Sequence, residues 1–471
     1  MKTITIIGGG FTGTMTAVQL LQHATEPFSL TIINEKESFN KGIAFNPYSQ
    51  KHLLNVITAK MSAFKKEGSH FLDWVMNQKA YEGMDRNLIA NSFLPRHIYG
   101  EYLSQIWLDA VRLQQEKKIS VRVIDACVID LKVQKKRVSL LTSDNERIET
   151  TYAVIATGNA LPRNPTIANP AFFDSNSYFQ NPWRMEAVAN LDTIKPVLII
   201  GNGLTMVDTV IGLQENGFRG QIYSLSPNGF NILPHRHNGL VYTKLIDELR
   251  DDLSLYEIVQ LFNKHIKSLK EFGVSPEPLI DSIRVYTQQI WKRLSVEEKK
   301  KFMGRLRHLW GVARHRIPLH IHDRLQQLRL DGKLHIISGK LIDITEQPGT
   351  VKVEYIDRKE KGTKHIEVSR VINCTGPDTN LMSADHSFLK KCLLKGDITQ
   401  DELKLGIVAD TETFEVVNRK GEKQHRLLTL GSNLKGELWE STAVNELRAQ
   451  AEALAVQLIK KCTTVVDVEQ V

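Results

Sequence analysis

Cysteine is scarce. The chain has 4 among 471 residues, Cys127, Cys374, Cys392 and Cys462, and no two are close in sequence. Without CxxC or metal-ligand spacing there is no zinc framework and no vicinal pair of the kind a flavin disulfide reductase needs; small thiols in a reducing compartment are expected. Long apolar runs are also missing, so no segment reads as a bilayer span. The N-terminus, Met1 to Ile7, passes directly into a strand-like stretch without the apolar core and cleavage site of a secretory signal, and a cytoplasmic location is expected. No Ser-His-Asp arrangement, P-loop, metal-binding motif or nucleic-acid module is present. The formal charge of +8 is moderate for this length. Lys299-Lys300-Lys301 and Arg305, Arg307, Arg314 and Arg316 form local basic clusters, read mainly as a solvated helix face and otherwise as a funnel for an anionic cofactor or substrate.

What the chain does have is a repeated pattern of apolar strand, glycine turn and helix. The first copy is Ile4–Ile7, then Gly8-Gly9-Gly10-Phe11-Thr12-Gly13, then a helix through Ala17, Leu20 and Leu21. The second is Val197–Ile200, then Gly201-Asn202-Gly203-Leu204-Thr205-Met206, then a helix through Val207, Val210 and Leu213. A chain of this length predicts two or three domains, and the repeat predicts two dinucleotide sites. Expected strands are Lys118–Ile129 and Arg137–Leu141 around a Lys-rich turn, Tyr152–Ile155, Leu334–Ile337, Val351–Ile356, Val368–Asn373 and Leu427–Leu430. A helix is expected from about Ser441 to Lys460. Apolar residues at helical spacing (Leu245, Leu249, Leu253, Ile258, Leu261, Phe262) mark residues 240–330 as a helical insert or cap.

Each motif has a physical reading. In Gly8-x-Gly10-x-x-Gly13 the first glycine permits the tight turn, the second lets backbone approach a pyrophosphate, and the third allows close helix–strand packing. The helix N-terminus then turns free amides and partial positive charge toward the phosphates. Glu35 follows the strand Leu30–Ile33 at the distance of an acid that binds a ribose hydroxyl, its alternative being a surface carboxylate. In the second turn Met206 replaces the third small residue, which implies looser helix–strand packing. The strand Gln221–Leu225 ends in Ser226-Pro227-Asn228 with no acid, and His235-Arg236-His237 is close in sequence. That leans toward NADPH over NADH, with a vestigial site as the alternative.

The order GxGxxG, Ala156-Thr157-Gly158, GxG, Asn373-Cys374-Thr375-Gly376 and a C-terminal Gly431 before a helix resembles the two-dinucleotide-binding flavoproteins. Gly42-Ile43-Ala44-Phe45, His52-Leu53-Leu54-Asn55-Val56, Met61-Ser62, Pro95-Arg96, Tyr99-Gly100, Tyr102-Leu103, Gly203 to Asp208 and Leu438-Trp439-Glu440-Ser441-Thr442-Ala443-Val444 are similar to one bacterial branch. That branch includes an FAD-dependent urate hydroxylase and an aspartate N-monooxygenase. The resemblance covers nearly the whole chain and is not specific for a substrate.

The resemblance implies an α/β fold of two Rossmann-like dinucleotide-binding domains: an FAD domain built from both chain ends, residues 1–190 and 371–471, and an NAD(P) domain, residues 191–370, carrying the helical insert. FAD is expected at Gly8, Gly10, Phe11, Thr12, Gly13 and Glu35. Gly42 and Asn55 are expected beside the flavin, Asn55 otherwise capping its local turn. Ala156-Thr157-Gly158 and Thr375-Gly376 are expected at the interdomain crossings, and Gly431 by the ribityl–phosphate region. Many relatives have an Asp after that glycine, where this chain has Ser432, so the ribityl contact is expected from backbone or from that hydroxyl. Trp439 and Glu440 either close over the flavin or are a packed Trp and a helix-capping Glu. NAD(P)H is expected at Gly201, Gly203, Leu204 and Thr205. The implied activity is an NAD(P)H-dependent flavin monooxygenase that hydroxylates a small substrate with molecular oxygen through a peroxyflavin. The alternatives are a reductase or oxidase, a non-catalytic flavin sensor, and a nucleic-acid-modifying flavoprotein. His235, Arg236, Arg314 and His315 are basic candidates for holding an anionic substrate or stabilising a peroxide, their alternative being surface or structural residues, and no catalytic acid or base is identified.

Overall fold

The computed structural model describes residues 1–236, 241–384 and 387–463. They divide into two compact units, one formed by the two ends of the chain (through Ala160 and from Thr379) and one running from Leu161 to Asp378. Both are α/β units built on parallel strands, of the Rossmann-like class expected.

In the first unit the strand Lys2–Ile7 lies between Phe28–Ile33 and Tyr152–Ile155 in a six-stranded sheet. Ser120–Ile124 extends it on one side, and Lys423–Thr429, with antiparallel Glu415–Val417, extends it on the other. Ile4, Ile6, Leu30, Ile32, Val154 and Ile155 are all fully or almost fully buried, as expected where both faces of a parallel sheet are covered. Helix Phe11–His23 packs against Arg96–Arg112 and the C-terminal helix Val444–Thr463. The stretch 118–129, expected as one strand, is two. Ser120–Ile124 stays in the parallel sheet, the chain breaks at Asp125-Ala126-Cys127, and Val128–Val133 begins a separate three-stranded antiparallel sheet. Asp125 has a reason to leave the ladder, since its carboxylate accepts the Lys36 amide at 2.8 Å.

Asp410 staples the loop before Glu415. Its Oδ1 accepts the amides of Glu412 (2.8 Å) and Thr413 (2.9 Å), and its Oδ2 pairs with Lys423. The Lys423 ammonium, helped by those amides, holds the carboxyl down at about 2. A depressed carboxyl pKa stabilises the fold above the unfolded value of about 4, and that contribution is lost as pH falls toward the folded value. Discounted for the half-exposed lysine, Asp410→Asn is expected to cost about 1–2 kcal/mol at neutral pH. Urea-unfolding midpoints compared at pH 7 and below pH 4 check this: the gap between the two proteins should narrow in acid.

In the second unit, parallel strands Leu334–Gln347, Ile222–Ser226, Val197–Ile200, Arg370–Asn373 and Tyr178–Phe179 lie side by side in that order. Antiparallel Thr350–Asp357 and Thr363–Val368 continue the sheet beyond Leu334–Gln347. The expected strand 368–373 is therefore split at Ser369, between an antiparallel and a parallel strand.

The domain boundaries expected at 190/191 and 370/371 stand instead at 160/161 and 378/379. Tyr178–Phe179 pairs with Arg370–Asn373, and Asn373 Nδ2 donates to the Arg163 carbonyl at 3.0 Å. The buried Arg370 guanidinium binds the carbonyls of Glu186, Ala187, Ala189 and Asn190 at 2.7–3.2 Å. Residues 161–190 are thus tied into the second unit by long-range bonds that no local pattern announces.

The insert is a run of helices, from Lys244–Asp247 through Leu319–Leu330, and includes the 17-residue helix Leu255–Glu271. Ser254 with Glu257 and Ser295 with Glu298 form capping boxes that start two of them. Leu245, Leu269, Leu279 and Ile283 form its small core. No helix among the described residues is long and apolar enough to cross a membrane.

Candidate functional site

The first glycine turn sits at the carboxyl edge of its sheet, the edge where ligands bind in open α/β folds. The Gly8 amide donates to Ile33 O at 2.9 Å, and a Cβ built on Gly8 would lie 2.3 Å from Ala156 O. The turn is therefore wedged between the ends of both neighbouring strands. A Cβ on Gly13 would lie 1.9 Å from Gly8 O, so the helix can start this close to the strand only with glycine there. The helix begins after Gly10 with no side-chain cap and no acidic residue in its first turn, so its free amides are available to an anion. The Phe11 ring is turned into the core against Phe45 (6.2 Å between centroids) and Tyr99 (6.3 Å), which leaves its main chain to the turn.

Sequence reasoning missed Asn34. Its Oδ1 accepts the Gly9 amide at 2.8 Å, while its Nδ2 donates to Glu35 O (2.6 Å) and Ser38 Oγ (3.0 Å). The Gly9 carbonyl accepts the Asn40 amide (2.8 Å) and the Thr14 hydroxyl (3.0 Å). The only local signal was an Asn between a strand end and an acid. Glu35 is exposed at the end of its strand, beside Cys127. Burial, with Glu35 and Asp125 nearby, pushes the Cys127 thiol up.

Gly42 comes back onto this turn. A Cβ on either Gly10 or Gly42 would lie 3.4–3.6 Å from the other's Cα. Asn55 is half-buried on a segment held by Leu54 N–H to Leu94 O (2.8 Å), Arg96 N–H to His52 O (2.8 Å) and Arg96 Nε to Leu53 O (2.9 Å).

Gly431 closes the same cradle, since a Cβ there would lie 3.2 Å from Thr12 Oγ1. Its amide donates to Gln450 Oε1 (2.8 Å) and its carbonyl accepts the Ser441 hydroxyl (2.5 Å), while Gln450 Nε2 donates to Ser441 Oγ (2.9 Å). Ser432 Oγ is buried and has no hydrogen-bond partner among the described residues. A buried hydroxyl left unsatisfied is costly, so a polar ligand group beside Gly431 would relieve it. Together with the glycine-lined turn, this orphaned atom makes the residues present a fit for FAD.

Trp439 is 9% exposed and sits at φ 58°, ψ −67°, in a tight turn closed by Glu440 N–H to Leu438 O at 2.7 Å. Such a conformation strains a non-glycine residue by roughly 1–3 kcal/mol and is typical of functional sites. The Lys435 ammonium lies 5.3 Å from its ring centroid.

The second unit repeats the construction. The Gly201 amide donates to Leu225 O at 2.8 Å, and a Cβ on Gly201 would lie 2.4 Å from Cys374 O, the counterpart of Ala156 O. A Cβ on Gly203 would meet nothing within 4 Å among the described residues, so this turn is open above its second glycine, as a cradle for a nicotinamide dinucleotide requires. Met206 is buried, and the helix after Gly203 carries no acidic residue in its first turn. Leu204 and Thr205 are half-buried at that helix start. Asn202 Nδ2 bonds Phe230 O, and Ser224 Oγ donates to Gly201 O at 3.0 Å. Thr157-Gly158 and Thr375-Gly376 each lie within three residues of a boundary between the two units.

The basic candidates are spoken for in part. Arg236 Nε is 3.8 Å from Glu277, His315 Nδ1 is 3.1 Å from Gly311 O, and the His235 amide donates to Ile317 O at 2.8 Å. His237 lies outside the described residues. Arg316, read with the solvated basic cluster, is instead buried in a two-pronged pair with Asp281 (2.7 and 3.0 Å), a structural role. Arg307 and His308 are pushed down by desolvation. No catalytic acid or base stands out among the described residues.

A family described as FAD-NAD(P)-binding matches residues 5–160, about a third of the chain. The uncharacterised protein YdhS of Escherichia coli (strain K12) is 29% identical over 229 residues, which is 46% of this chain and 41% of that protein. Three solved structures share the fold over 98% of this chain. They are the ornithine hydroxylase PvdA from Pseudomonas aeruginosa (TM-score 0.66, 12% identity, 99% of that chain), the L-lysine 6-monooxygenase from Pseudomonas syringae (0.63, 15%, 100%), and the ornithine N-hydroxylase of Kutzneria sp. 744 (0.62, 12%, 99%).

Proposed function

We propose that this chain is an FAD-dependent NAD(P)H oxidoreductase, and specifically a monooxygenase that hydroxylates a small substrate with molecular oxygen. The observation that carries the reading is the duplicated cradle. Gly8 against Ala156 O and Gly201 against Cys374 O have the same geometry, one per unit, as an enzyme holding two dinucleotides requires. The fold shared with N-hydroxylating flavin monooxygenases supports the choice of reaction. The finer reading, membership of the branch with the urate hydroxylase and the aspartate N-monooxygenase, rests on the resemblance of residues 42–62 and 438–444 to that branch.

FAD, held by these residues, would supply the redox chemistry, as hydride acceptor and activator of dioxygen. Overall, one nicotinamide hydride, one proton, one dioxygen and one substrate give oxidised nicotinamide, water and hydroxylated substrate. The protein's share is binding and orientation. The first-turn amides neutralise the pyrophosphate, Glu35 accepts ribose hydroxyls, and Ser432 Oγ makes its missing hydrogen bond to the flavin side chain. The Gly431–Gln450–Ser441 network fixes the backbone that carries that hydroxyl.

The test is the flavin spectrum of purified protein, mixed anaerobically with NADPH or NADH and then exposed to air with a panel of diamines, basic and acidic amino acids and urate. The expected result is bleaching by a nicotinamide, then hydroxylated product in step with nicotinamide consumed for one member of the panel. Bleaching with peroxide as the only product throughout would favour an oxidase. A flavin that neither nicotinamide bleaches would overturn the reading and favour a flavin-binding sensor.

A further inference from the structure

We infer that Arg358 is the residue that recognises the 2′-phosphate of NADPH, making the second cradle selective for NADPH over NADH. The inference rests on the reading that the turn at Gly201–Met206 takes a nicotinamide dinucleotide. In this fold the adenosine ribose lies at the end of the second strand, where an acid selects the free 2′-hydroxyl and an arginine accommodates a 2′-phosphate. Here that strand is Ile222–Ser226, and it leads into Ser226-Pro227-Asn228, with neither an acid nor an arginine. The Ser226 hydroxyl is engaged by the Gly229 amide at 3.1 Å.

Tertiary structure brings the missing cation. Ser226 lies level with Ser338 on the neighbouring parallel strand. The antiparallel strand Thr350–Asp357 returns along that neighbour until Asp357 stands opposite Gly339, and the next residue is Arg358. Its amide donates to Ser338 O at 2.9 Å, and its Nη1 reaches the Pro227 carbonyl at 3.1 Å and Asn228 Oδ1. An arginine 130 positions away in sequence thus stands against the loop where the ribose is expected.

The guanidinium is available. Arg358 is exposed and has no carboxylate partner among the described residues. The adjacent Asp357 carboxylate is turned into its own loop, accepting the amides of Lys359 (2.8 Å) and Glu360 (3.0 Å). Glu360 is tied to Lys364 at 2.6 Å. Arg358 therefore keeps Nε and Nη2 for an incoming oxyanion, in the planar fork that suits phosphate.

The competing role is a staple that holds residues 227–228 in place, and the two roles separate cleanly. A staple would affect any adenine nucleotide, whereas a 2′-phosphate contact affects only those that carry the phosphate. The experiment titrates the FAD-loaded protein and its Arg358→Ala and Arg358→Lys variants calorimetrically with 2′,5′-ADP and with ADP. It also compares flavin reduction by NADPH and NADH. Arg358→Ala is expected to weaken 2′,5′-ADP binding and to lower kcat/KM for NADPH by about 10- to 100-fold. ADP and NADH should be nearly unaffected. Arg358→Lys should fall between, because it keeps the charge and loses the fork. Equal losses with phosphorylated and unphosphorylated ligands, or undiminished 2′,5′-ADP binding in Arg358→Ala, would overturn this inference and leave the proposed function standing. Failure of the unsubstituted protein to bind either nucleotide would overturn both. Selective loss of 2′,5′-ADP with a flavin that never bleaches would uphold Arg358 and sink the oxidoreductase reading.

Discussion

Gly13→Ala is expected to yield a protein that purifies with little or no flavin. The added Cβ would sit 1.9 Å from Gly8 O, a main-chain atom fixed by its place in the turn. Relief requires the helix Phe11–His23 to move off the strand, and overpacking of this kind typically costs about 1–3 kcal/mol. The same shift carries the helix amides away from the pyrophosphate, where a charge-assisted hydrogen bond is worth roughly 1.5–3 kcal/mol. The lost contact predicts a fall of about 10- to 100-fold in FAD affinity, and the strain a lower thermal stability. Flavin-to-protein ratio and thermal stability, read beside far-ultraviolet circular dichroism, check the prediction. A folded Gly13→Ala protein with stoichiometric flavin would mean that this turn does not hold the pyrophosphate.

Gly201→Ala should do the opposite: keep the flavin and lose its reduction by nicotinamide. Gly201 has φ +108°, a conformation that L side chains rarely adopt, and its Cβ would lie 2.4 Å from Cys374 O. Strain and clash fall entirely within the second unit, so the first cradle and its FAD are untouched. Anaerobic reduction by NADPH is expected to slow by about 100-fold or more at subsaturating nicotinamide. Dithionite should still bleach the flavin fully, which separates loss of the nicotinamide site from damage to the flavin site. Undiminished reduction in Gly201→Ala would show that hydride reaches the flavin from a cofactor bound elsewhere.

The reach of sequence reasoning is clearest where a residue type is forced by a local steric demand. Gly13 was legible because the atom it must admit, Gly8 O, is five residues away, and Gly8 and Gly201 because the strand–turn–helix order is itself local, although the carbonyls they must avoid, Ala156 O and Cys374 O, come from distant strands. Arg370 and Arg316 show the opposite case. Arg370 falls unremarked inside an expected strand and Arg316 reads as part of a basic cluster, yet the first is buried among the carbonyls of residues 186–190 and the second is paired with Asp281. Cys127 was read only as a small thiol, and the structure sets it beside Glu35. Asp125 and Ala126 are poor strand formers and hint at the break at Asp125–Cys127, but that the two halves pair in different sheets is decided by partners distant in sequence.

By itself, then, the sequence determined the class of this protein: two strand–glycine–helix cradles in one chain. Periodicity and glycine spacing encode those features over short distances, where backbone sterics leave few alternatives. Tertiary structure alone decided where one unit ends and the next begins, since that depends on residues 161–190 pairing with strand Arg370–Asn373. It alone left Ser432 Oγ, beside Gly431, buried without a partner among the described residues. It alone carried Arg358 to the Ser226–Asn228 loop, because side chains far apart in sequence meet only through strand register, and register is set by the whole sheet.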